Sequence, residues 1–363
     1  MSEEEKEKVK DWSELPAELI YLIAKKLPDL LDFIRFRTVC KTWCSSAPLS
    51  NPPYQLPWLL ELFKTKYFPE GTLKKQQRFF SVSSGETITI PFKNRNPKLE
   101  KWIKGGVCSY YLAFADGNIM SFFNPLTEDL FLLPSRDEIL YFGSPCMVWT
   151  GTAPIRDRSI LVLDRSNWIG YENIGLQAFY DPHSRKWVDQ FGKFNSSCYW
   201  QGLFFSTCTS GPTEVFDASS TELLHTIPPP DNELINNPCG KNELARNLRQ
   251  SYLVVSSSGV IFRVSWFYGW RVKDSVFHIY RLHYETVDGK TSWVQIRDIG
   301  DQIFFFEEMN GFSMTAGPST RFREGCIYFI DHEDEPYMHD VLAGTVERVA
   351  CPFKRCTWFL PGL

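Results

Sequence analysis

Apolar side chains recur every fourth residue near the start of the chain, at Leu15, Leu19, Ile23 and Leu27, with Ile20 beside them. Glu18, Lys25 and Lys26 fill the polar positions between them, and this spacing predicts one amphipathic helix. Pro16 suits its first turn, where a missing N–H is harmless, and Pro28 ends it, because the residue before a proline is pushed out of the α region. Asp29 can cap a second helix from Leu30 to about Phe36, and a third short one is predicted around Cys40 to Ser46. A module of about 40 residues sits near the lower limit for independent folding, so its surplus apolar surface is expected to lie against something else.

The next stretch, NPPYQLPWLLELFKTKYFPEGT over residues 51–72, is bounded by prolines and places Trp58, Leu59, Leu62 and Phe63 at helical spacing. That predicts a linker helix. From about Phe79 the texture changes to runs of Phe, Tyr, Trp, Val and Ile broken by Gly, Pro, Asn and Asp, with no long 3.6-residue period, which predicts short strands. A weak repeat appears at the turns, in FNPLTEDLFLLP (123–134), YDPHSRKWVDQ (180–190), FDASSTELLHTIPPP (216–230), VDGKTSWVQIRDI (287–299) and HDVLAGTVERV (339–349). In each, a strand end meets Asn or Asp, a few polar residues follow and a new strand begins. Asx side chains favour such turns by bonding the backbone two residues on and by tolerating left-handed geometry. The turn positions, 124, 181, 217, 288 and 340, recur irregularly at about 50 residues, a period found in propellers.

The expected architecture is therefore multidomain. Residues 1–10 form a disordered tail, 11–50 an all-α helical module, 51–74 a linker helix and 75–363 an all-β propeller of about six blades. An irregular β-sandwich is the alternative for the last part, disfavoured by five or more hairpins spread over so long a segment.

Charge narrows the function. With 39 basic and 43 acidic residues interspersed, the net charge of −4 argues against a polyanion-binding surface. LKKQQRFF (73–80) and FKNRNPKLEKWIKGG (92–106) interleave bases with aromatics, but both flank predicted strands and are read as solvated connections, so no nucleic-acid partner is expected. No apolar leader or 18-residue apolar run is present, so no membrane partner is expected and the chain is placed inside the cell, in cytoplasm and/or nucleus. The 10 cysteines include no CxxC pair and several lie in strand-like runs; they are read as buried free thiols of a reducing compartment.

Catalytic and metal-binding patterns are weak. HEDEPYMH (332–339) gathers two histidines and three acids, but its histidines are wrongly spaced for a zinc helix and Pro336 would break one. No GxSxG elbow, Walker phosphate loop or GxGxxG turn occurs. The expectation is a non-catalytic protein without cofactor or metal.

The order Leu-Pro-x-Glu-Leu-Ile-x-x-Ile, Leu-Pro-Asp-Leu-Leu and Val-Cys-Lys-x-Trp across residues 15–43 resembles the F-box. FFNPLTEDLFLLP, GCIYFID and HDVLAGTVERV downstream look like the plant F-box proteins that carry a KIB-type β-propeller. The resemblance implies that Leu15, Pro16, Leu19, Ile20, Ile23, Leu27, Val39, Cys40 and Trp43 contact a Skp-type adaptor, and through it a cullin-RING ubiquitin ligase. The propeller would then capture a protein target for ubiquitination. A scaffold that binds without promoting ubiquitination is the alternative, and a propeller hydrolase a distant third. For the target contact the sequence offers VSWFYGWRVKDS (264–275), with Trp266, Phe267, Tyr268, Trp270 and Arg271, types enriched at interface hot spots. The same aromatics could instead fill the packing between blades.

Overall fold

The computed structural model describes residues 12–27, 29–49, 56–62, 76–91, 107–108, 111–116, 119–134, 146–149, 160–169, 172–181, 186–191, 194, 196–208, 211–230, 247–269, 271–284, 291–307, 311–317 and 321–362. Three helices open the chain: α1 (Ala17–Lys25), α2 (Leu30–Arg37) and α3 (Lys41–Ser46). Pro16 stands at the N-cap of α1, and Pro28 lies outside the described residues. Asp29 caps α2 as the sequence indicates, its Oδ1 accepting from Leu31 N at 2.9 Å.

Strands make up the rest. β1 (Trp58–Glu61), β2 (Gln76–Ser81) and β3 (Thr87–Pro91) form an antiparallel run. The second sheet is β4 (Val107–Cys108), β5 (Tyr111–Asp116), β6 (Ile119–Phe123) and β7 (Leu130–Leu132). The third holds β8 (Cys146–Trp149), β9 (Ile160–Ile169), β10 (Glu172–Asp181) and β11 (Lys186–Phe191). Next come β12 (Ser196–Trp200), β13 (Leu203–Thr207), β14 (Thr213–Asp217) and β15 (Leu223–Ile227). The fifth sheet is β16 (Asn247–Val255), β17 (Ile261–Tyr268), β18 (Val276–Tyr284) and β19 (Thr291–Ile296). The sixth comprises β20 (Gln302–Phe306), β21 (Gly311–Thr315), β22 (Cys326–Ile330), β23 (Pro336–Asp340) and β24 (Thr345–Arg348), with β20 and β22 parallel. Finally β25 (Cys356–Phe359) returns to the first sheet and pairs antiparallel with β1, Trp58 opposite Phe359 and Glu61 opposite Cys356.

The sheets close into a ring. β25 lies beside β4, β4 beside β8, β8 beside β12, β12 beside β16, β16 beside β21, and β22 beside β25. This β-propeller hides most sheet faces by packing neighbour on neighbour. Aromatic rings fill the seams: Phe179 meets Phe204 at 4.9 Å, Tyr252 stacks on Phe306 at 4.3 Å and Phe305 meets Trp358 at 5.1 Å.

One turn recurs at the outer hairpins of four sheets. Asn124 Oδ1 accepts from Leu126 N at 2.9 Å, Asp217 Oδ1 from Ser219 N at 2.9 Å and Asp340 Oδ1 from Ala343 N at 2.9 Å. Four residues after each, Glu128, Thr221 and Gly344 take positive φ of 59°, 64° and 66°. Ser81 and Gly85 (φ 76°) repeat the plan with a serine. Its Asx residues were legible as turn formers, whereas the left-handed position, twice occupied by a non-glycine residue, was not. The turns expected after Asp181 and at Asp288 lie outside the described residues, although β10–β11 and β18–β19 pair as hairpins.

The linker helix is corrected: Trp58–Glu61 is a strand, set between β25 and β2. Its apolar spacing is compatible with a helix, but pairing on both sides with strands distant in sequence decides its conformation. The all-β part consequently begins upstream of residue 75, and the boundary at 74 moves to about Leu56.

Arg263, in β17, is fully buried. Its Nη1 donates to Thr207 Oγ1 (2.7 Å), Gly211 O (2.8 Å) and Thr213 Oγ1 (3.3 Å), and its Nη2 to Cys208 O (3.3 Å) and Ser251 Oγ (3.4 Å). A guanidinium thus pins the connection between β13 and β14 onto the neighbouring sheet. Arg263→Leu leaves buried carbonyls and hydroxyls unsatisfied, so urea denaturation should show a loss of about 3 kcal/mol or more; an unchanged midpoint would contradict this role.

His339, in β23, is buried against Phe277, with ring centroids 5.0 Å apart. Burial lowers its pKa from 6.5 to about 4. Between those values the unfolded chain binds a proton that the folded chain excludes, so stability falls as pH drops through this window. The expected loss is about 3 kcal/mol. His339→Phe should flatten that part of the profile in thermal melts between pH 7 and pH 4; an equal slope in both proteins would refute it.

Candidate functional site

The helical module has two apolar faces with different fates. Ile20 and Ala24 of α1, Leu30, Phe33 and Phe36 of α2, and Ala47 are buried in one cluster with Trp58, Leu60, Phe79, Leu112, Phe123 and Phe359 of the first two sheets. Leu15, Leu27, Leu31, Ile34 and Trp43 pack at its margin. Part of what the short module needs to complete its core is therefore its own propeller. Asp29 strengthens the joint: its buried Oδ2 accepts from Ser81 Oγ and, at 3.2 Å, from Ser83 Oγ. One carboxylate thus caps α2 and ties it to the first sheet. Arg35 adds an exposed ion pair to Glu86 at 3.0 Å, a contact of small energetic weight.

The opposite face is uncovered. Leu19, Leu22 and Ile23, at i, i+3 and i+4 on α1, are 48%, 53% and 42% exposed, and Val39, between α2 and α3, is 61% exposed. Pro16 is exposed next to them. Large aliphatic side chains clustered in water on one helix face form the kind of patch through which proteins meet other molecules. Lys26 and Glu18 border it, giving the charged rim common around apolar contacts.

The expected adaptor residues accordingly divide. Pro16, Leu19, Ile23 and Val39 are accessible; Leu15, Leu27, Cys40 and Trp43 are half-buried, with the Trp43 ring 4.3 Å from Phe36 and its Nε1 donating to Trp12 O at 3.1 Å. Ile20 is corrected, since it is wholly buried against the propeller and cannot meet a partner. The helical period alone assigned Ile20 and Leu19 to one stripe; the second apolar surface beneath α1 separates them. Leu22 was missed, although its position three residues after Leu19 was visible.

The aromatic stretch 264–275 is corrected in the same way. Trp266 and Phe267 lie within β17 and are 2% exposed, Trp266 stacking on Phe277 at 5.7 Å and meeting Phe329 edge-on at 5.1 Å. They are seam packing. Tyr268 is half-buried with its hydroxyl 2.8 Å from His332 Nδ1, Arg271 is exposed, and Trp270 lies outside the described residues. The HEDEPYMH stretch forms a turn in which Asp331 Oδ1 accepts from Glu333 N and Glu335 N, both at 2.9 Å. His332 is exposed in that turn while His339 is buried in β23. Among the described residues no group of His, Cys, Asp and Glu is placed to hold a metal ion.

With the ring and the helical face in view, comparison with known proteins is direct. Residues 79–347, from β2 to β24, match the KIB1-4 beta-propeller family. The chain belongs to that family. F-box protein At2g17036 of Arabidopsis thaliana is 22% identical over 91% of this chain and 86% of its own length. F-box protein SKIP23 of the same plant is 23% identical over 88% of this chain and 84% of its own. F-box protein At2g17690, also from Arabidopsis thaliana, is 48% identical over a shorter span of 54 residues, 15% of this chain and 13% of its own length. The resemblance to plant F-box proteins with a KIB-type propeller holds, and no enzymatic family is indicated by these matches. The matched span leaves out β1 and β25, the two strands that close the ring.

Proposed function

We propose that this protein is the substrate-recognition subunit of a Skp-cullin-F-box ubiquitin ligase. The helical module binds a Skp-type adaptor through Pro16, Leu19, Leu22, Ile23 and Val39, and the propeller binds a protein target. The uncovered aliphatic face of α1 carries this reading, in a chain whose relatives are F-box proteins. The chain supplies no catalysis of its own; ubiquitin transfer belongs to the cullin-RING partner, in cytoplasm and/or nucleus. Packing of the module on the propeller, through Phe33, Phe36 and Asp29, supports the role because it would hold a target bound to the propeller at a set position relative to the adaptor.

The test is affinity capture of the full chain with the proteasome inhibited. Adaptor, cullin and a ubiquitinated client recovered together support the receptor role. Adaptor and cullin without any ubiquitinated client favour the scaffold reading, and capture without adaptor overturns both.

A further inference from the structure

Two thiols stand together where the ring closes. Cys351 lies in the connection after β24, and Cys356 opens β25, paired with Glu61 of β1. Their Sγ atoms are 3.9 Å apart, neither forms a disulfide, and Cys351 is half-buried while Cys356 is buried. The backbone N–H of Phe353 points at Cys351 Sγ at 3.5 Å. The segment between them is held in place: Arg355 pairs with Asp334 at 3.3 Å, Cys356 N donates to Asp334 O at 2.8 Å, and the Phe353 ring lies 5.0 Å under the Arg78 guanidinium.

We propose that Cys351 is an oxidation-sensitive nucleophilic thiol, with Cys356 as its resolving partner, and that hydroperoxides are its reactants. A redox-active pair needs one accessible sulfur stabilised as thiolate and a second within reach. Cys351 meets the first requirement: the Cys356 thiol beside it, the Phe353 N–H and the nearby Arg348 charge lower its pKa, against burial and the Glu61 charge. Cys356 meets the second, its own proton held more firmly by the neighbouring Cys351 sulfur and by burial.

The chemistry balances with the hydroperoxide as oxidant. The Cys351 thiolate attacks the terminal oxygen, the O–O bond breaks, and the alkoxide leaves as an alcohol by taking up a proton. Cys351 is then a neutral sulfenic acid, so the thiolate charge that held the Cys356 proton is gone. Cys356 loses its proton and attacks Cys351 Sγ; the S–O bond breaks and hydroxide leaves as water. Two thiols and one hydroperoxide become a disulfide, an alcohol and water. The bond ties the loop after β24 to the closing strand.

The other cysteines supply the controls. Burial raises the pKa of Cys198, Cys208 and Cys326, the last to about 11, while Cys40 and Cys44 match Cys351 in being half-buried. In the native full chain, iodoacetamide should label Cys351 on the order of tenfold faster than Cys40 or Cys44. Hydrogen peroxide followed by peptide mapping without reductant should yield a Cys351–Cys356 linked peptide lighter by two hydrogens. Cys356→Ser should instead accumulate a sulfenic acid at Cys351, captured by dimedone. Labelling of Cys351 no faster than of Cys40 and Cys44, or peroxide treatment that leaves the pair reduced, overturns the proposal. The wild-type mapping decides it alone if the variant fails to fold.

Discussion

A chain beginning at residue 75 should fail to fold, whereas one beginning near residue 54 should form a cooperatively melting β-rich domain. The reason is β1. Trp58, Leu59 and Leu60 are buried, and the strand sits between β25 and β2 as an interior member of its sheet. Its two faces serve different clusters: Trp58 and Leu60 pack with Phe79, Phe123 and Phe33 of α2, and Leu59 with Phe305, Tyr328 and Trp358. Burying three side chains of this size contributes about 6 kcal/mol or more, against a total stability for a domain of about 5–15 kcal/mol. Removing the strand also leaves β25 and β2 as bare apolar edges, an invitation to aggregate. Removing only the helices exposes Phe79 and Phe123, so the chain from residue 54 should melt at a lower temperature than the full chain but still in one transition. Circular dichroism melts of the three chains separate these outcomes. Wild-type melting of the chain from residue 75 would show that β1 is dispensable and that ring closure has been misassigned.

The same strand marks where sequence reasoning stops. Helices α1, α2 and α3 were legible because their signals are local: a four-residue apolar period, a proline at the entrance and Asp29 at a cap. The outer hairpins at Asn124, Asp217 and Asp340 were legible for the same reason, as Asx side chains close their own turns. By contrast, β1 is a strand because β25 lies beside it, about 300 residues later in the chain, and nothing in WLLE reports that neighbour. Trp266 and Phe267 show a second limit. Strand alternation leads one to expect about half of an aromatic run to face water, but a sheet packed on both sides buries nearly all of it, and every residue from Ile261 to Phe267 is buried.

Within the candidate site the division between readable and hidden follows the same physics. That α1 carries apolar residues in excess of what a small module can bury was visible in the sequence. Which of them meet the propeller was not, because Ile20 and Leu19 are adjacent in sequence and differ only in the direction taken around the helix. Asp29 was read as a cap and proves also to be a tether, since Ser81 and Ser83 that complete it come from a sheet over 50 residues away. The cysteines, expected to be buried, include four half-buried thiols among those described: Cys40, Cys44, Cys208 and Cys351.

The outer face of α1 carries the largest expected effect on binding. Leu19→Asp with Ile23→Asp places two charges in the middle of the proposed contact, where truncating even one anchoring side chain typically costs about 2 kcal/mol or more. Two such losses, with buried carboxylates added, should weaken adaptor binding by on the order of a thousandfold. Both positions are exposed in the isolated protein, so its melting temperature should hardly change. Ile20→Ala reverses the pattern: it opens a cavity in the joint with the propeller and should cost about 2–5 kcal/mol of stability while leaving the adaptor contact in place. The most direct measurement is isothermal titration of a purified Skp-type adaptor into the wild type and both variants, each checked by its thermal melt. The Leu19→Asp, Ile23→Asp protein should stay folded and lose binding, and Ile20→Ala should bind but melt early. Wild-type adaptor affinity in the folded Leu19→Asp, Ile23→Asp protein would contradict the proposed contact.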